Sequence, residues 1–139
     1  MIDLLATPLM CMAMNIYHEA RNESTVGQMA VAQVVMNRVE DDRFPDDVGA
    51  VVTQGIHWES IPAKIRCQFS WYCDGLSDQP RNAKAFERSQ EIAARVLEGW
   101  TGPSCDGAAH YDGDSVMPNW AHHHTRIVKI DSHIFYRWD

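Results

Sequence analysis

The hydrophobic pattern changes its period along the chain, and this change limits the folds that the sequence can adopt. Apolar residues recur at helical spacing in the segments 9–21, 25–39, 44–54 and 82–98. The last third instead holds short strand candidates at 108–112, 126–130 and 133–138, the last two joined by a turn at Asp131-Ser132. Because the helices precede the strands rather than alternate with them, the pattern predicts an α+β fold.

Residues that favour helix ends stand at the boundaries of these segments. Thr25 is predicted to cap the second helix, with Gln28 reaching back to it in a capping box. Asn82 can cap the fourth helix, and Gly99 supplies its stop. Pro45 suits the first turn of the short third helix.

The segment from 56 to 81 has no clean period. It combines turn-forming residues, such as Asp74-Gly75, with the aromatic residues Trp58, Phe69, Trp71 and Tyr72. Long loops of this kind are more often functional than structural. We therefore predict a long aromatic loop that contributes to a functional site.

Length and charge exclude several classes of protein. The 139 residues suit one domain, 1–139. Its 12 basic and 19 acidic side chains give a net charge of −7, which argues against nucleic acid as a partner. The apolar run from Leu4 to Met14 is too short to span a bilayer and lacks the basic start of a secretory signal. We therefore expect synthesis in the cytoplasm and no membrane insertion.

The cysteines form no C-x-x-C pair, so the spacings of zinc fingers and thioredoxins are missing. They stand at Cys11, Cys67, Cys73 and Cys105. We expect four free thiols, two of them buried, although Cys67 and Cys73 could be joined in an oxidising compartment.

The densest group of reactive side chains is the segment 17–23, Tyr-His-Glu-Ala-Arg-Asn-Glu. Glu19 ends an apolar helix, where partial burial raises the pKa of a carboxyl and keeps it protonated near neutral pH. A protonated glutamate in a cleft can act as a general acid. The alternative is a surface glutamate paired with Arg21 or Arg38, and spacing alone leaves both interpretations open.

Several short motifs resemble those of the SleB-type, spore-cortex-lytic family of cell-wall hydrolases. The resemblance begins with the segment 17–23 and continues from Gly27 to Val39. Further matches are 68–71 (Gln-Phe-Ser-Trp), 109–111 (Ala-His-Tyr), 118–121 (Pro-Asn-Trp-Ala) and 133–136 (His-Ile-Phe-Tyr). The segments from 17 to 39 count as one motif, which makes five in all. Each motif alone is weak, whereas five in the same order are specific, and they extend from about Met12 to Arg137.

The resemblance implies a fold and an activity. The fold is a helical, lysozyme-like lobe with a small C-terminal antiparallel sheet and a cleft between them, lined by Glu19. The activity is degradation of peptidoglycan by cleavage of the glycan strand between N-acetylmuramic acid and N-acetylglucosamine, with Glu19 as the catalytic residue. Glu23 is expected to be a structural partner of Arg21 or of a loop N–H. The chain departs from the family pattern at His18 and Asn22, which bears on substrate detail and pH optimum.

A single carboxyl is enough for one form of this reaction. Glycosidases usually place two carboxylates around the bond, but the candidates for a second group, Asp74 and Asp112, each precede a glycine and are more typical of turns. With Glu19 alone, the 6-hydroxyl of the sugar can close on the anomeric carbon, as in a lytic transglycosylase. Attack by water would instead make the enzyme a muramidase-like hydrolase.

The same motifs supply candidate substrate-binding residues. Aromatic side chains with a polar tip suit sugar rings, which have apolar faces and polar rims. We predict that Trp71, Tyr111 and Trp120 are sugar platforms and expect at least one of them to be part of the core. Hydrogen bonds to hydroxyl and N-acetyl groups are expected from the polar residues of these motifs, Gln68, Ser70, Asn37 and His110.

Other functions are weaker alternatives. The run His122-His123-His124 suggests a zinc-dependent hydrolase, but consecutive residues point in different directions and the H-E-x-x-H pattern is absent. We therefore expect neither a metal nor another cofactor. A non-catalytic wall-binding module is also compatible with the aromatic content. A compact catalytic chain without an export signal is typical of a monomeric phage-type lysin that reaches the wall by a separate route.

Overall fold

The computed structural model describes residues 3–58, 61–100, 107–113 and 123–139, with the backbone alone for 56–58 and 61–66. The helices are α1 (Pro8–Ala20), α2 (Thr25–Val39), α3 (Val48–Val52) and α4 (Ala83–Leu97), with a 3₁₀ turn at Ser70–Tyr72. The strands are β1 (Gly55–Trp58), β2 (Ile61–Cys67), β3 (Ala108–Gly113), β4 (Thr125–Ile130) and β5 (His133–Arg137). The predicted α+β fold is confirmed. None of the helices in these ranges is long and apolar enough to cross a membrane.

Helix α1 forms the centre of the helical lobe. Five consecutive side chains, from Met12 to Ile16, are at most 1% exposed, so the helix is enclosed on every side. Helices α2, α3 and α4 pack around it, and α4 contributes the apolar face of Ile92, Ala93 and Val96. This burial explains why the sequence of α1 shows a broad apolar stripe rather than a narrow one.

Side-chain caps begin each helix. Asn82 Oδ1 accepts a hydrogen bond from Ala85 N at 3.0 Å, and Gly99 follows α4 with φ +109°, as predicted. The prediction for α2 was wrong, because Ser24 rather than Thr25 is the N-cap and accepts from Gly27 N at 3.1 Å. Thr25 is already helical, and its hydroxyl accepts from Arg88 of α4.

The C-terminal strands form an antiparallel sheet in the order β3-β5-β4. Its turn is at Asp131, whose φ of +52° is tolerated by aspartate better than by most residues. Phe135 of the central strand and Ala108 of β3 are fully buried against the α2 residues Ala30, Val31 and Val34. The sheet is therefore fixed to the outer face of α2.

The predicted long loop is wrong in its first half, because the chain forms the hairpin β1-β2. Its register pairs Gly55 with Cys67 and Trp58 with Ile61, with an irregularity between them. Such a short, bulged pairing leaves no alternating pattern in the sequence. The second half, with the 3₁₀ turn and Gly75 at φ +79°, is irregular as expected.

The expectation of four free thiols is also wrong, because Cys67 and Cys73 form a disulfide. The 3₁₀ turn folds back on the end of β2 and brings the two Cα atoms to 6.0 Å, a spacing that a disulfide can bridge. Cys11 is free and buried, while Cys105 lies outside the described residues.

Candidate active site

A cavity of about 350 Å³ lies where the end of α1 faces the sheet and the segment after β2. Its walls come from α1, α2, the 68–70 segment, β3 and β5, so both halves of the fold build it. The lining residues are Glu19, Arg38, Gln68, Ser70, His110, Tyr111, Asp112, Gly113 and His133.

Glu19 is the penultimate residue of α1 and is half-buried. Burial raises the pKa of its carboxyl, and this effect outweighs the lowering by the Tyr111 hydrogen bond and by the charges of His133, His18 and Arg38. The carboxyl therefore keeps its proton to a higher pH than an exposed glutamate does.

Tyr111 holds the Glu19 carboxyl in place. Its hydroxyl donates a hydrogen bond of 2.5 Å to Glu19 Oε1, across 92 residues of sequence. Burial, together with the neighbouring Glu19, raises the pKa of Tyr111 well above its ordinary value, so the phenol stays a neutral donor. The structure thus brings a predicted sugar platform into direct contact with the predicted acid.

Arg38 of α2 is a buried cation beside this pair. Its Nε donates to Ala109 O at 2.7 Å, and its Nη1 lies 3.4 Å from Gln68 Oε1. Burial lowers the pKa of Arg38 to about 10, so it remains charged at neutral pH. These partners differ from the ion pair with Glu19 that was one interpretation of the sequence.

Arg21 does not pair with Glu19 either among the described contacts. Its guanidinium lies 4.9 Å from the centre of the Tyr17 ring, and its Nη1 is 3.4 Å from Tyr17 O. The interpretation of Glu19 as a surface residue in a salt bridge is therefore wrong, because burial and the Tyr111 hydroxyl define its environment instead.

His133, at the start of β5, lines the pocket although it was not among the predicted site residues. Its Nδ1 lies 3.6 Å from Glu23 Oε1, and its ring meets the Tyr111 ring edge-on at 5.0 Å. Glu23 also accepts a hydrogen bond from Ser132, so its partners are on the hairpin and not the expected Arg21 or loop N–H. The position of His133 at the start of the last motif was the available signal.

His110 lines the opposite part of the pocket. Burial lowers its pKa to about 4, assisted by the positive charges of Arg38 and Arg43, so the imidazole is neutral at pH 7. Its ring packs against those of His124 and Trp138 at 4.7 and 5.7 Å. A neutral imidazole can both donate and accept hydrogen bonds.

Some of the other predicted binding residues line the pocket and some do not. Gln68 and Ser70 are exposed and line the pocket. Asn37 does not line it, because its Nδ2 donates to Ala108 O at 2.8 Å and so ties α2 to β3. Trp71 is 5% exposed and donates to Asn15 Oδ1, so it belongs to the core, as expected for at least one aromatic residue. Trp120 lies outside the described residues.

The two candidates for a second carboxylate, Asp74 and Asp112, have different structural positions. Asp74 accepts from Leu76 N at 2.9 Å, which is the turn role that its sequence predicted. Asp112 lies in strand β3 rather than in a turn and lines the pocket, so its assignment as a turn residue was wrong. Of these two candidates, therefore, Asp112 alone lines the pocket that contains Glu19.

The histidine run does not form a metal site in the part of the chain that the structure describes. Within those residues no group of three histidine, cysteine, aspartate or glutamate side chains is arranged to hold an ion. His124 stacks on Trp138 at 5.8 Å, and His122 lies outside the described residues.

Together these groups form a polar pocket with a proton donor on one wall. Glu19 can donate a proton and then remain ionised beside Tyr111, while the charge of Arg38 favours the ionised form. Gln68, Ser70 and His110 present hydrogen-bonding groups to the same space. Such a site suits acid-catalysed cleavage of a polar, hydroxyl-rich molecule.

Comparison with families and curated proteins gives a consistent result. A family model described as Cell Wall Hydrolase matches residues 22–136. The spore cortex-lytic enzyme of Halalkalibacterium halodurans is 31% identical over 89% of this chain and 33% of its own length. The spore cortex-lytic enzyme of Bacillus subtilis is 27% identical over 89% of this chain and 35% of its own length. The chain thus spans about a third of the length of these relatives.

Two solved structures share the whole fold. The catalytic domain of the germination-specific lytic transglycosylase SleB from Bacillus anthracis superposes with a TM-score of 0.73 at 27% identity, over 94% of this chain and 93% of that one. The catalytic domain of the Bacillus cereus SleB protein gives a TM-score of 0.69 at 27% identity, over 94% and 89%. The similarity therefore includes α1 and Glu19, which precede the residues matched by the family model.

Proposed function

Because the chain belongs to the Cell Wall Hydrolase family, we propose that it cleaves the glycan strand of peptidoglycan between N-acetylmuramic acid and N-acetylglucosamine, as a lytic transglycosylase. The observation that carries the proposal is the Glu19 carboxyl, which lines a polar pocket, has its pKa raised by burial and accepts a hydrogen bond from Tyr111. The similarity to the catalytic domain of a lytic transglycosylase supports the same reaction.

The proposed reaction uses one carboxyl twice. Glu19 first gives its proton to the glycosidic oxygen, the bond to the anomeric carbon breaks, and an oxocarbenium-like state forms. The ionised Glu19 then accepts the proton of the sugar's own 6-hydroxyl as that oxygen bonds to the anomeric carbon. The products are a 1,6-anhydro end and a free hydroxyl on the other fragment, and Glu19 is protonated again.

The surroundings of Glu19 suit both halves of this cycle. Burial favours the protonated form that the first step needs, while the Tyr111 hydroxyl and the charge of Arg38 favour the ionised form that the second step needs. A carboxyl with both influences can change its protonation state at a modest cost in each direction.

We propose that the substrate is bound by hydrogen bonds from Gln68, Ser70 and His110. Tyr111 is proposed to influence the reaction through its hydrogen bond to Glu19. Asn37 and Trp71 are proposed to position the strand and the helix that carry the site, because their own bonds are to Ala108 and Asn15. The role of Trp120 as a sugar platform stays a prediction.

A second candidate is a muramidase-like hydrolase that releases a reducing end. The observation that favours it is Asp112, a second carboxylate in the lining of the same pocket, which could activate a water molecule. The two reactions use the same acid and differ only in which hydroxyl attacks the anomeric carbon.

The masses of the released fragments distinguish the two reactions. Purified sacculi are digested with the wild type and with Asp112→Asn, and the soluble fragments are analysed by mass spectrometry. The transglycosylase predicts ends that are one water lighter than reducing ends, in both proteins. Reducing ends, lost in Asp112→Asn, would instead establish the hydrolase.

The same digestion tests the remaining alternatives. Activity that persists in a chelator contradicts a zinc-dependent hydrolase. Tight binding to sacculi without release of any soluble fragment would show a wall-binding module and would overturn the proposal.

Action as a monomeric phage-type lysin is a separate proposal about how the chain reaches the wall. We expect lysis of a bacterial host that expresses the chain only when a membrane pore is opened from a second plasmid. Lysis without the pore would contradict it.

The oligomeric state is tested by light scattering after size-exclusion chromatography. A monomer is expected to have a mass near 15.8 kDa.

A further inference from the structure

A second cavity, of about 250 Å³, lies beside the last turn of α1 and has no part in the chemistry described above. Its apolar lining comes mainly from the half-buried His18 ring and from Leu76, which is 75% exposed, whereas the lining residues Tyr17 and Trp71 are each 5% exposed. Its polar lining residues are Arg21, Asp74, Ser77, Asp78, Gln79 and Arg81. An apolar surface with a polar rim is the combination that a pyranose ring requires.

His18 is held in this wall by contacts on two sides. Its Nε2 lies 2.8 Å from Asp78 O, and its ring stacks on Trp71 with the centroids 4.8 Å apart and the planes at 16°. Trp71 is itself fixed by the hydrogen bond of 2.8 Å to Asn15, which is fully buried. The half-buried imidazole is therefore a rigid surface rather than a mobile side chain.

The second cavity and the Glu19 pocket have no lining residue in common, but each shares lining residues with a third cavity. This third cavity, of about 220 Å³, is lined by residues 18–23. It shares Glu19 with the first pocket, and it shares His18 and Arg21 with the second. The end of α1 thus lies between the first and second cavities, so a polymer that passes Glu19 could reach both.

We propose that the cavity beside His18 is a saccharide subsite, which binds an N-acetylhexosamine unit of the glycan on the far side of Glu19 from the main pocket. The inference rests on the proposed function. The sugar ring packs on the His18 ring, which Trp71 supports by stacking, and on Leu76, while Arg21 and Arg81 donate hydrogen bonds to its hydroxyl or acetamido oxygens.

The proposal predicts that affinity depends on the length of the glycan. A fragment long enough to reach past Glu19 into the second cavity gains contacts that a shorter one lacks. Stacking on one aromatic surface changes affinity by up to about tenfold. We therefore expect His18→Ala to lower the affinity for long fragments by about tenfold and to leave that for the shortest fragments unchanged.

The test uses peptide-free glycan fragments of two to eight sugars in the Glu19→Gln background, where cleavage is expected to be at least about a hundredfold slower. Dissociation constants are measured by calorimetry for this protein, for His18→Ala and for His18→Phe, which keeps an aromatic ring but removes the ring nitrogens. His123→Ala is the matched control, because His123 is exposed and lines none of the three cavities.

The expected result is a gain in affinity with length that is lost in His18→Ala and kept in His18→Phe and His123→Ala. Two results would overturn the subsite. In the first, the affinity of His18→Ala still rises with fragment length; in the second, His18→Phe loses this rise as completely as His18→Ala does. The ring protons of His18, followed by NMR in the Glu19→Gln protein, give a second readout that requires no change at His18. They are expected to shift with the long fragments only, and equal shifts with the shortest fragments would also overturn it.

The proposed function and the subsite fail in different ways. If the wild type releases no fragments from sacculi, the proposed function is wrong regardless of His18. If the wild type cleaves sacculi and His18→Ala binds long fragments as tightly as its parent does, only the subsite is wrong.

Discussion

At the level of single residues, the proposed chemistry depends on the pKa of one carboxyl. The Glu19 pKa is raised by burial and lowered by Tyr111, His133, His18 and Arg38, so its value is a balance. The sequence could indicate Glu19, because an apolar helix that ends in a reactive segment is unusual. It could not indicate Tyr111 as its partner, since the hydrogen bond joins residues 92 positions apart.

Tyr111→Phe removes the hydrogen bond that lowers the Glu19 pKa. The pKa therefore rises further, and the decline in activity at alkaline pH, where the acid loses its proton, moves to higher pH. The maximal rate falls by about ten- to a hundredfold, because a hydrogen bond to a charged group contributes about 1.5–3 kcal/mol. A pH–rate profile on sacculi measures both effects, and an unchanged alkaline limb would contradict the role of Tyr111.

His110 is expected to stay neutral until the pH is far below the ordinary range of histidine. Burial and the neighbouring cations lower its pKa to about 4, whereas an exposed histidine titrates near 6.5. An NMR titration of its ring protons measures the midpoint. A midpoint near 6.5 would mean that the pocket is more open to water than the structure shows.

At the scale of elements, the turn between β4 and β5 is docked on the start of α2. Asp131 Oδ2 accepts from Ser24 N and Ser24 Oγ at 2.9 and 2.6 Å, while Ser132 bonds to Glu23. This contact places His133 beside Glu19. The sequence predicted the helices and C-terminal strands from their periods and caps, but not this docking, which depends on residues more than a hundred positions apart.

Gly27→Ala is expected to destabilise the protein although alanine favours helices by about 1 kcal/mol. A Cβ at this position would lie 2.4 Å from Asp131 Oδ2 and 3.1 Å from Glu23 Cβ. Asp131 is held by its two bonds to Ser24 and cannot move away freely. We expect a net loss of about 1–3 kcal/mol in the free energy of unfolding, measured by urea denaturation.

A double-mutant cycle identifies the cause of this loss. In an Asp131→Gly background the carboxylate is absent and the positive φ is tolerated, so the same Gly27→Ala substitution is expected to cost much less. An equal cost in both backgrounds would show that the docking of the turn is not what requires glycine at position 27.

At the scale of the whole molecule, the pocket exists because the helical lobe and the sheet meet around the end of α1. The family motifs indicated both lobes and most of the pocket residues. They did not indicate the β1-β2 hairpin or its disulfide, since a bulged pairing leaves no periodic pattern and four cysteines allow several connectivities. Asn37 and Trp71 bond to Ala108 and Asn15, and their motifs alone did not indicate this, because a motif does not reveal which of its residues face the cavity and which brace it.

The raised pKa of Glu19 also links the active site to global stability. Below the ordinary pKa of 4.5 the carboxyl is protonated in the folded and the unfolded state, and no penalty arises. As the pH rises through the folded pKa, the unfolded state is favoured, because it ionises more easily. Glu19→Gln is therefore expected to have a higher melting temperature than the wild type at pH 7 and the same one at pH 4.

Thermal unfolding followed by circular dichroism at the two pH values measures this difference. Glu91→Gln, the same substitution at an exposed position of α4, is the control and should show no pH-dependent change. A Glu19→Gln protein that is less stable than the wild type at pH 7 would contradict the unfavourable burial of the ionised carboxyl.

The most direct test of the central claim is the rate at which purified sacculi release soluble fragments with the Glu19→Gln and Glu91→Gln proteins. General acid catalysis contributes about 10²–10⁴-fold, so Glu19→Gln is predicted to be slower than the wild type by at least the lower figure while remaining folded. Glu91→Gln should match the wild type. Fragment release by Glu19→Gln at the wild-type rate would show that another group gives the proton, and the account of this pocket would be wrong.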